Sequence, residues 1–341
     1  MRSYCGRSSV LARTAGVPAS VISDLQHDLR ALGYHKDDVS GVWRAVLDAA
    51  VQAIRYDLTG RDGPVGVAAY NATGAVVASP TSGTASVEPA LANCIGAMSA
   101  DPAFPKLPSS ANALADNRRA WDEVKAMRAG AAPTPFLAAV FQLESGGNHF
   151  NVPSPTNDDS FVTVGLDHND SAAPERITSR GYGLGQYTLF HHPPTAEELN
   201  TVILDPPTNA RAAFAAMRDT FDHAVICADP VTRADDRHAE WPLSPLRICK
   251  YPQTDARYLA DCHACAAAAG KVNIAPGRPV YPGANLKWEP TQYYPSATYP
   301  DVPDRTGFAC DWPYAARRYN GGGINSYHHQ ARVLINLLNL P

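Results

Sequence analysis

The sequence predicts a mainly α fold in two domains, and three observations predict it. The chain has 341 residues, 45% of them apolar, which exceeds one ordinary domain and supplies enough apolar side chain for a core in each of two. Apolar residues recur at helical spacing near the N-terminus and again beyond residue 111. Between these stretches, residues 76–110 are rich in Ser, Thr, Pro and Ala, with Pro80, Pro89, Pro102, Pro105 and Pro108 as punctuation. The expected division is a helical domain over 18–75, a linker over 76–110 with room for one short helix, and a larger domain over 111–341.

The first helix is marked by Val21, Ile22, Leu25, Leu29 and Leu32, with Gly33 where a helix terminator belongs. A polar turn from His35 to Gly41 follows. Val42, Val46, Leu47, Ala50, Val51 and Ile54 mark a second helix, and Val67 to Asn71 a short third one after the Gly63-Pro64 turn. Helical spacing resumes at Leu114, Trp121, Val124 and Met127 and stops at Gly130. Thr134-Pro135 reads as cap and first residue of the next helix, because threonine accepts from an orphan N–H and proline has none to satisfy. That helix ends at Gly146-Gly147. Pro206 to Asn209 opens a helix bearing Ala213, Phe214, Met217 and Phe221, and Val333, Leu334, Leu337 and Leu338 stripe the last one.

From about 223 to 309 the composition turns to Pro, Tyr and Cys with weak periodicity, which predicts a stapled insertion with some strands. Its aromatics Tyr281, Trp288, Tyr293, Tyr294 and Tyr299 suit either packing or stacking on sugar faces. Five of the seven cysteines, Cys227, Cys249, Cys262, Cys265 and Cys310, fall at or beside it, with Cys5 and Cys94 upstream. An odd number leaves at least one thiol unpaired within the chain. Disulfides are the expected use of the rest, with half a zinc site at Cys262 and Cys265 as the alternative. The adjacent pairs His191-His192 and His328-His329 are not expected to hold metal, since neighbouring side chains diverge. No cofactor and no metal are expected.

A net charge of −4 gives no electrostatic footprint for nucleic acid. No apolar run approaches a membrane span. Arg13 interrupts the only apolar stretch of residues 1–20, so a cleavable secretory signal is not expected, and a protein acting outside the cytoplasm would need another export route.

Glu144 carries the chemical argument. At about 100° per residue it shares a broad face with Phe136, Leu137, Val140 and Phe141 in the last turn of its helix. The negative end of the helix and an apolar wall both disfavour a carboxylate anion, which is what a general acid requires. The alternative is a glutamate that snorkels to solvent or makes an ordinary ion pair with Arg180 or Arg211.

Two resemblances extend these readings. Residues 18–75 resemble the small helical peptidoglycan-binding domain of cell-wall hydrolases through Leu25-Gln26, Leu29, Leu32-Gly33-Tyr34, Val39-Ser40-Gly41, Ala50-Val51 and Gly63-Pro64-Val65-Gly66. Arg44 stands where that family usually has glycine, and Ile54-Arg55 replaces an aromatic-glutamine pair. Downstream, Glu144-Ser145-Gly146-Gly147-Asn148, then Gly181 to Thr188, then Arg318-Tyr319-Asn320-Gly321-Gly322 resemble, in order, the catalytic motifs of soluble lytic transglycosylases and goose-type lysozymes. Gly185 departs from the commoner methionine.

The resemblance implies an α+β lysozyme-like catalytic domain that cleaves peptidoglycan between N-acetylmuramic acid and N-acetylglucosamine. It implies Glu144 as acid/base, with Ser145, Gln186, Tyr187, Tyr319 and Asn320 binding substrate. Tyr319 is expected to hydrogen-bond Glu144. Asp158, Asp159, Asp167 and Asp170 are candidates for a second carboxylate that would activate water. Without one, the substrate's own hydroxyl attacks and leaves a 1,6-anhydro end. The implied place of action is the periplasm or cell wall, as a phage endolysin, an antibacterial effector with an export machine and an immunity protein as partners, or a wall-remodelling enzyme. A non-catalytic peptidoglycan-binding or assembly protein and a chitin-directed glycosidase are the alternatives.

Overall fold

The computed structural model describes residues 2–60, 65–78, 85–127, 134–220 and 312–320, together with His329, Arg332, Val333, Asn336 and Leu337. The insertion expected over 223–309 and its five cysteines lie outside the described residues. Among those described, the protein is an α+β mix in which helices predominate over two small antiparallel sheets. No described helix is long and apolar enough to cross a membrane. The chain divides into two compact units, residues 1–120 with 148–209, and residues 121–147 with 210–341.

The first unit begins with β1 (Leu11–Ala12), α1 (Ala19–Ala31), α2 (Ala45–Thr59) and α3 (Val65–Ala68), the last continued by a 3-10 turn. Helix α1 ends as its sequence predicts. Gly33 adopts φ 79°, while the Gly33 and Tyr34 N–H groups turn back to Arg30 O and Leu29 O, so two carbonyls left open by the helix end are satisfied. Val21, Ile22, Leu25 and Leu29 of α1 and Leu47, Ala50, Val51 and Ile54 of α2 are buried in one core. Val42 is not part of that stripe. It lies before α2 and is exposed.

The expected linker belongs to this core. Within 76–110 run β2 (Ser86–Val87), paired antiparallel with β1, and α4 (Pro89–Ala100). Leu91, Ala92, Ile95 and Met98 of α4, with Val76, Ala85, Val87 and Phe104, are buried against the α1 and α2 residues. The Pro and Ser content reads as linker only if the apolar spacing inside it is ignored. Pro89 sits at the start of α4, where a missing N–H costs nothing.

Residues 148–209 complete the unit with β3 (Val164–Asp167), β4 (Ser179–Tyr182) and β5 (Tyr187–Leu189), an antiparallel sheet in that order, then a short helical turn α7 (Ala196–Glu198) that continues into Leu199–Ile203. The turn opens on a capping box: the Thr195 side chain accepts from Glu198 N–H, and the Glu198 carboxylate accepts from Thr195 N–H. Two buried arginines tie this part to the N-terminal helices. Arg30 meets Asp159 through Nε at 2.9 Å and Nη2 at 3.2 Å, and Arg180 donates from Nε to Gly33 O at 3.0 Å. The boundaries expected at 75 and 111 therefore do not follow the packing, because these contacts join segments far apart in sequence.

Helix α5 (Ala113–Met127) spans the boundary between the units at residue 120, and α8 (Pro206–Thr220) spans it at 209. The second unit holds the rest of both helices, with α6 (Thr134–Ser145) and α9 (Trp312–Tyr319). Phe136, Leu137, Ala138, Ala139, Val140 and Phe141 of α6 are all buried, so this helix is covered on every side over that stretch. Trp121 packs edge-on against Phe141 at 6.2 Å and donates from Nε1 to Gly147 O at 2.9 Å. Val124, Ala213, Met217, Trp312, Ala315, Val333 and Leu337 are further buried residues of this unit among those described.

Candidate functional site

Glu144 lies in the last turn of α6, which stops as the paired glycines predict. Gly146 and Gly147 take φ 62° and 78°, conformations that side chains beyond Cα disfavour. The Gly147 N–H returns to Phe141 O at 3.1 Å. A Cβ at Gly147 would also overlap the Gln142 side chain. Ser145 turns its hydroxyl back to the same Phe141 carbonyl at 3.0 Å.

The partner of Glu144 is a histidine. His329 Nε2 lies 2.7 Å from Glu144 Oε1, with the histidine side chain 6% exposed and the glutamate 19%. Each arginine expected as an alternative has a carboxylate partner elsewhere. Arg211 pairs with Glu123 at 3.0 Å, and Arg180 lies 3.5 Å from Asp57. The carboxylate thus keeps partial exposure while one of its oxygens is engaged by a buried imidazole.

Tyr319, at the end of α9, is close enough to Glu144 to respond to its charge. Burial raises the Tyr319 hydroxyl above its ordinary range, and the Glu144 charge raises it further. Helix α9 packs on α6, which brings the Tyr319 region to the Glu144 end of the unit. Asn320 follows as an exposed turn residue.

Gln186 and Tyr187 belong to the first unit. The segment Gly181 to Gln186 leaves β4, turns and enters β5, and two buried side chains hold the turn from beneath. Leu184 N–H donates to His149 Nδ1 at 3.3 Å, so the ring proton is on Nε2, which donates to Ile203 O at 2.8 Å. Burial pushes the His149 ring down to about 4, which keeps it neutral in this role. Asn209 accepts from Gly185 N–H at 2.8 Å and donates to Tyr182 O and Val202 O.

The glycines of this segment have separate reasons. Gly183 takes φ 72° and lies against the His149 ring, where a Cβ would overlap. Gly165 of β3 and Gly181 of β4 lie beneath the Gln186 side chain, whose Oε1 would overlap a Cβ on either. Gln186 itself adopts φ 49° and donates from Nε2 to Gly183 O at 2.8 Å. A side-chain residue in the left-handed region, with its amide lying flat over two glycines, is a built feature. Tyr187 opens β5 opposite Tyr182 and is half-buried.

The four aspartates expected as candidates for a second carboxylate, all in the first unit, separate by environment. Asp159 is fully buried and occupied: Arg30 holds both oxygens, and Asn151 Nδ2 and Phe161 N–H donate to it as well. It is a structural anion, with no room beside it for an attacking water. Asp167 accepts from Ser179 Oγ at 2.6 Å, Asp170 pairs with Arg176 at 3.4 Å, and Asp158 is exposed.

Cys5 and Cys94 are free thiols. Both are raised above the ordinary thiol range, chiefly by burial, the opposite of what a nucleophilic thiol needs. A cavity of about 630 Å³ in the first unit is lined by Arg2, Cys5, Asp24, Asn93, Gly96 and Ser99 among others and includes none of the expected site residues.

Comparison with protein-family models, with curated proteins and with solved structures gives no match to this chain. Sequence reasoning missed His329, which was weighed only as half of an adjacent histidine pair, and missed His149 and Asn209. The one signal for His329 was its place on the stripe of Val333 and Leu337, four and eight residues before them, the spacing of a single helix face. His149 follows the Glu144 motif directly, but a lone buried histidine carries no sequence signature.

Proposed function

We propose that this protein cleaves the glycan strand of peptidoglycan between N-acetylmuramic acid and N-acetylglucosamine, with Glu144 as the acid/base group. One observation carries the reading. A carboxylate at the end of a buried helix retains partial exposure while a buried histidine holds one of its oxygens at 2.7 Å. Such a group can give a proton to a substrate oxygen and take one back.

The reaction follows from that capacity. Protonated Glu144 transfers its proton to the glycosidic oxygen as the bond from C1 to that oxygen breaks, and positive charge develops on the sugar ring. The resulting Glu144 carboxylate then accepts a proton from the attacking hydroxyl. If that hydroxyl belongs to the same sugar, the product is a 1,6-anhydro end; if it belongs to water, the product is a reducing end. Ser145, Tyr319 and Asn320, which share the second unit with Glu144, are the residues we assign to the sugars at the cleaved bond. The ordered resemblance of the three motifs to lytic transglycosylases and goose-type lysozymes supports the substrate class, and that substrate lies in the periplasm or cell wall.

The test is clearing of purified peptidoglycan by the full chain, with mass spectrometry of the soluble products. The wild-type protein releases muropeptides, and Glu144→Gln, which keeps the shape and removes the titrating proton, releases none. Equal clearing by Glu144→Gln overturns the assignment. Binding of insoluble peptidoglycan without soluble fragments would replace it with a non-catalytic role, and chito-oligosaccharides from chitin with peptidoglycan left intact would replace the substrate.

A further inference from the structure

We infer that His329 is a positioning residue that decides which oxygen of Glu144 carries the transferable proton: its Nε2–H donates to Oε1, so the acid proton sits on Oε2. The inference rests on the reading of Glu144 as a proton donor. It begins from the other ring nitrogen. His329 Nδ1 is buried and has no hydrogen-bond partner among the described residues.

Three proton arrangements fit a contact of 2.7 Å between Nε2 and Oε1, and Nδ1 distinguishes them. An imidazolium would carry a proton on both nitrogens. A carboxylic acid donating to Nε2 would require the remaining ring proton to be on Nδ1. Either arrangement buries an N–H without an acceptor, and orphaned buried N–H groups are rarer than under-used acceptors. The neutral tautomer with its proton on Nε2 leaves only a bare lone pair at Nδ1. In that tautomer His329 is the donor and Oε1 the acceptor, whether Glu144 is ionised or protonated.

The consequence is geometric. A carboxyl group free to turn offers its proton in either of two directions, and half of those orientations are unproductive. With Oε1 held by His329, a protonated Glu144 carries its hydrogen on Oε2 alone.

The histidine is itself held. Val333 and Leu337, on the same helical face, are fully buried, and Asn336 Nδ2 reaches Ala139 O of α6 at 3.3 Å. The His329 ring and the Asn336 amide thus grip α6 at two points along its length. Tyr319, from α9, is another titratable group that interacts with Glu144.

The tautomer is read directly by nitrogen-15 NMR of the imidazole in the wild-type protein at neutral pH. The expected spectrum has a protonated Nε2 and a bare Nδ1 for His329, and Glu144→Gln shifts the Nε2 resonance. A protonated Nδ1, alone or with Nε2, overturns the inference, and this readout needs no activity. In turnover of peptidoglycan, His329→Phe lowers kcat by about 100-fold with KM nearly unchanged. His329→Gln, whose amide N–H can replace the Nε2 donor, recovers activity to within about tenfold of wild type. If Glu144→Gln is inactive while His329→Phe equals wild type, this inference fails and the glycan-cleavage reading stands. If Glu144→Gln clears like wild type, the reading itself fails, whatever the tautomer.

Discussion

Arg30 and Asp159 meet with no solvent at either side chain, the guanidinium reaching both carboxylate oxygens from a helix 129 residues earlier in the chain. Arg30 has further bonds to His35 O and Val162 O, so its donors are matched to acceptors on two separate segments. Removing water from both charges is costly, and the fixed two-point geometry offsets that cost only while both partners are present.

Asp159→Ala is therefore expected to destabilise the protein by about 3–5 kcal/mol, because it strands a buried guanidinium. Replacing the pair together, Arg30→Met with Asp159→Leu, is expected to recover most of that loss. Urea unfolding of the two variants checks this. A single variant no less stable than the double one would show that the pair is not isolated from solvent.

Gly183→Ala is expected to be the more damaging of two alanine substitutions at left-handed glycines. Gly74 has φ 66° with nothing near its missing Cβ, whereas Gly183 has φ 72° and faces the His149 ring. Gly74→Ala carries only backbone strain, about 1 kcal/mol. At Gly183 the ring must also move, which breaks its bond to Leu184 N–H. Thermal melting should show a clearly larger drop for Gly183→Ala; equal drops would mean that His149 gives way freely.

Acidification should weaken the first unit through its buried histidines. His149 and His35 are lowered from 6.5 to about 4, by burial in both cases and in His35 also by the Arg30 charge. With folded values below unfolded ones, the unfolded chain takes up protons first. Their stabilising contribution is complete above about pH 6.5, declines as pH falls towards 4, and changes little below that. The full loss is on the order of 3 kcal/mol for each. Denaturation midpoints between pH 7 and 4.5 read the slope, and His35→Phe should flatten it. An unchanged slope would rule out this titration as the cause.

The fit of Gln186 over Gly165 and Gly181 predicts a measurable coupling. Gly181→Ala forces the amide off its bond to Gly183 O and is expected to cost about 1–3 kcal/mol as an overpacked position. In a Gln186→Ala background the Oε1 and Cδ overlaps are gone and only the residue-186 Cβ remains close, at 3.2 Å, so the cost should be smaller than in the wild-type background. A double-mutant cycle measures this; additive effects would mean that the amide does not lie over Gly181 in solution.

Local pattern made much of the helical skeleton legible. Helices α1 and α2, the Gly33 terminator, and the Thr134 to Gly147 limits of α6 follow from spacing and end signals carried within a few residues. The sheet of β3, β4 and β5 was not legible. Its strands are short, two contain glycine, and all four residues of β4 are buried, so the alternation that marks a half-exposed strand is absent. Composition misled over 76–110 for a related reason: prolines at the edges of α4 look like linker punctuation when they are helix boundaries.

The sequence by itself determined that α1, α2 and α6 form, where α6 stops, and that Glu144 stands at its last turn, because each of these depends on neighbours along the chain. Tertiary structure decided that residues 76–110 and 148–209 share a core with the N-terminal helices, that Asp159 is committed to Arg30, and that Glu144 is held by a histidine 185 residues away. Hydrogen bonds between such distant residues leave no periodic trace, since their geometry exists only after the helices that carry them have packed.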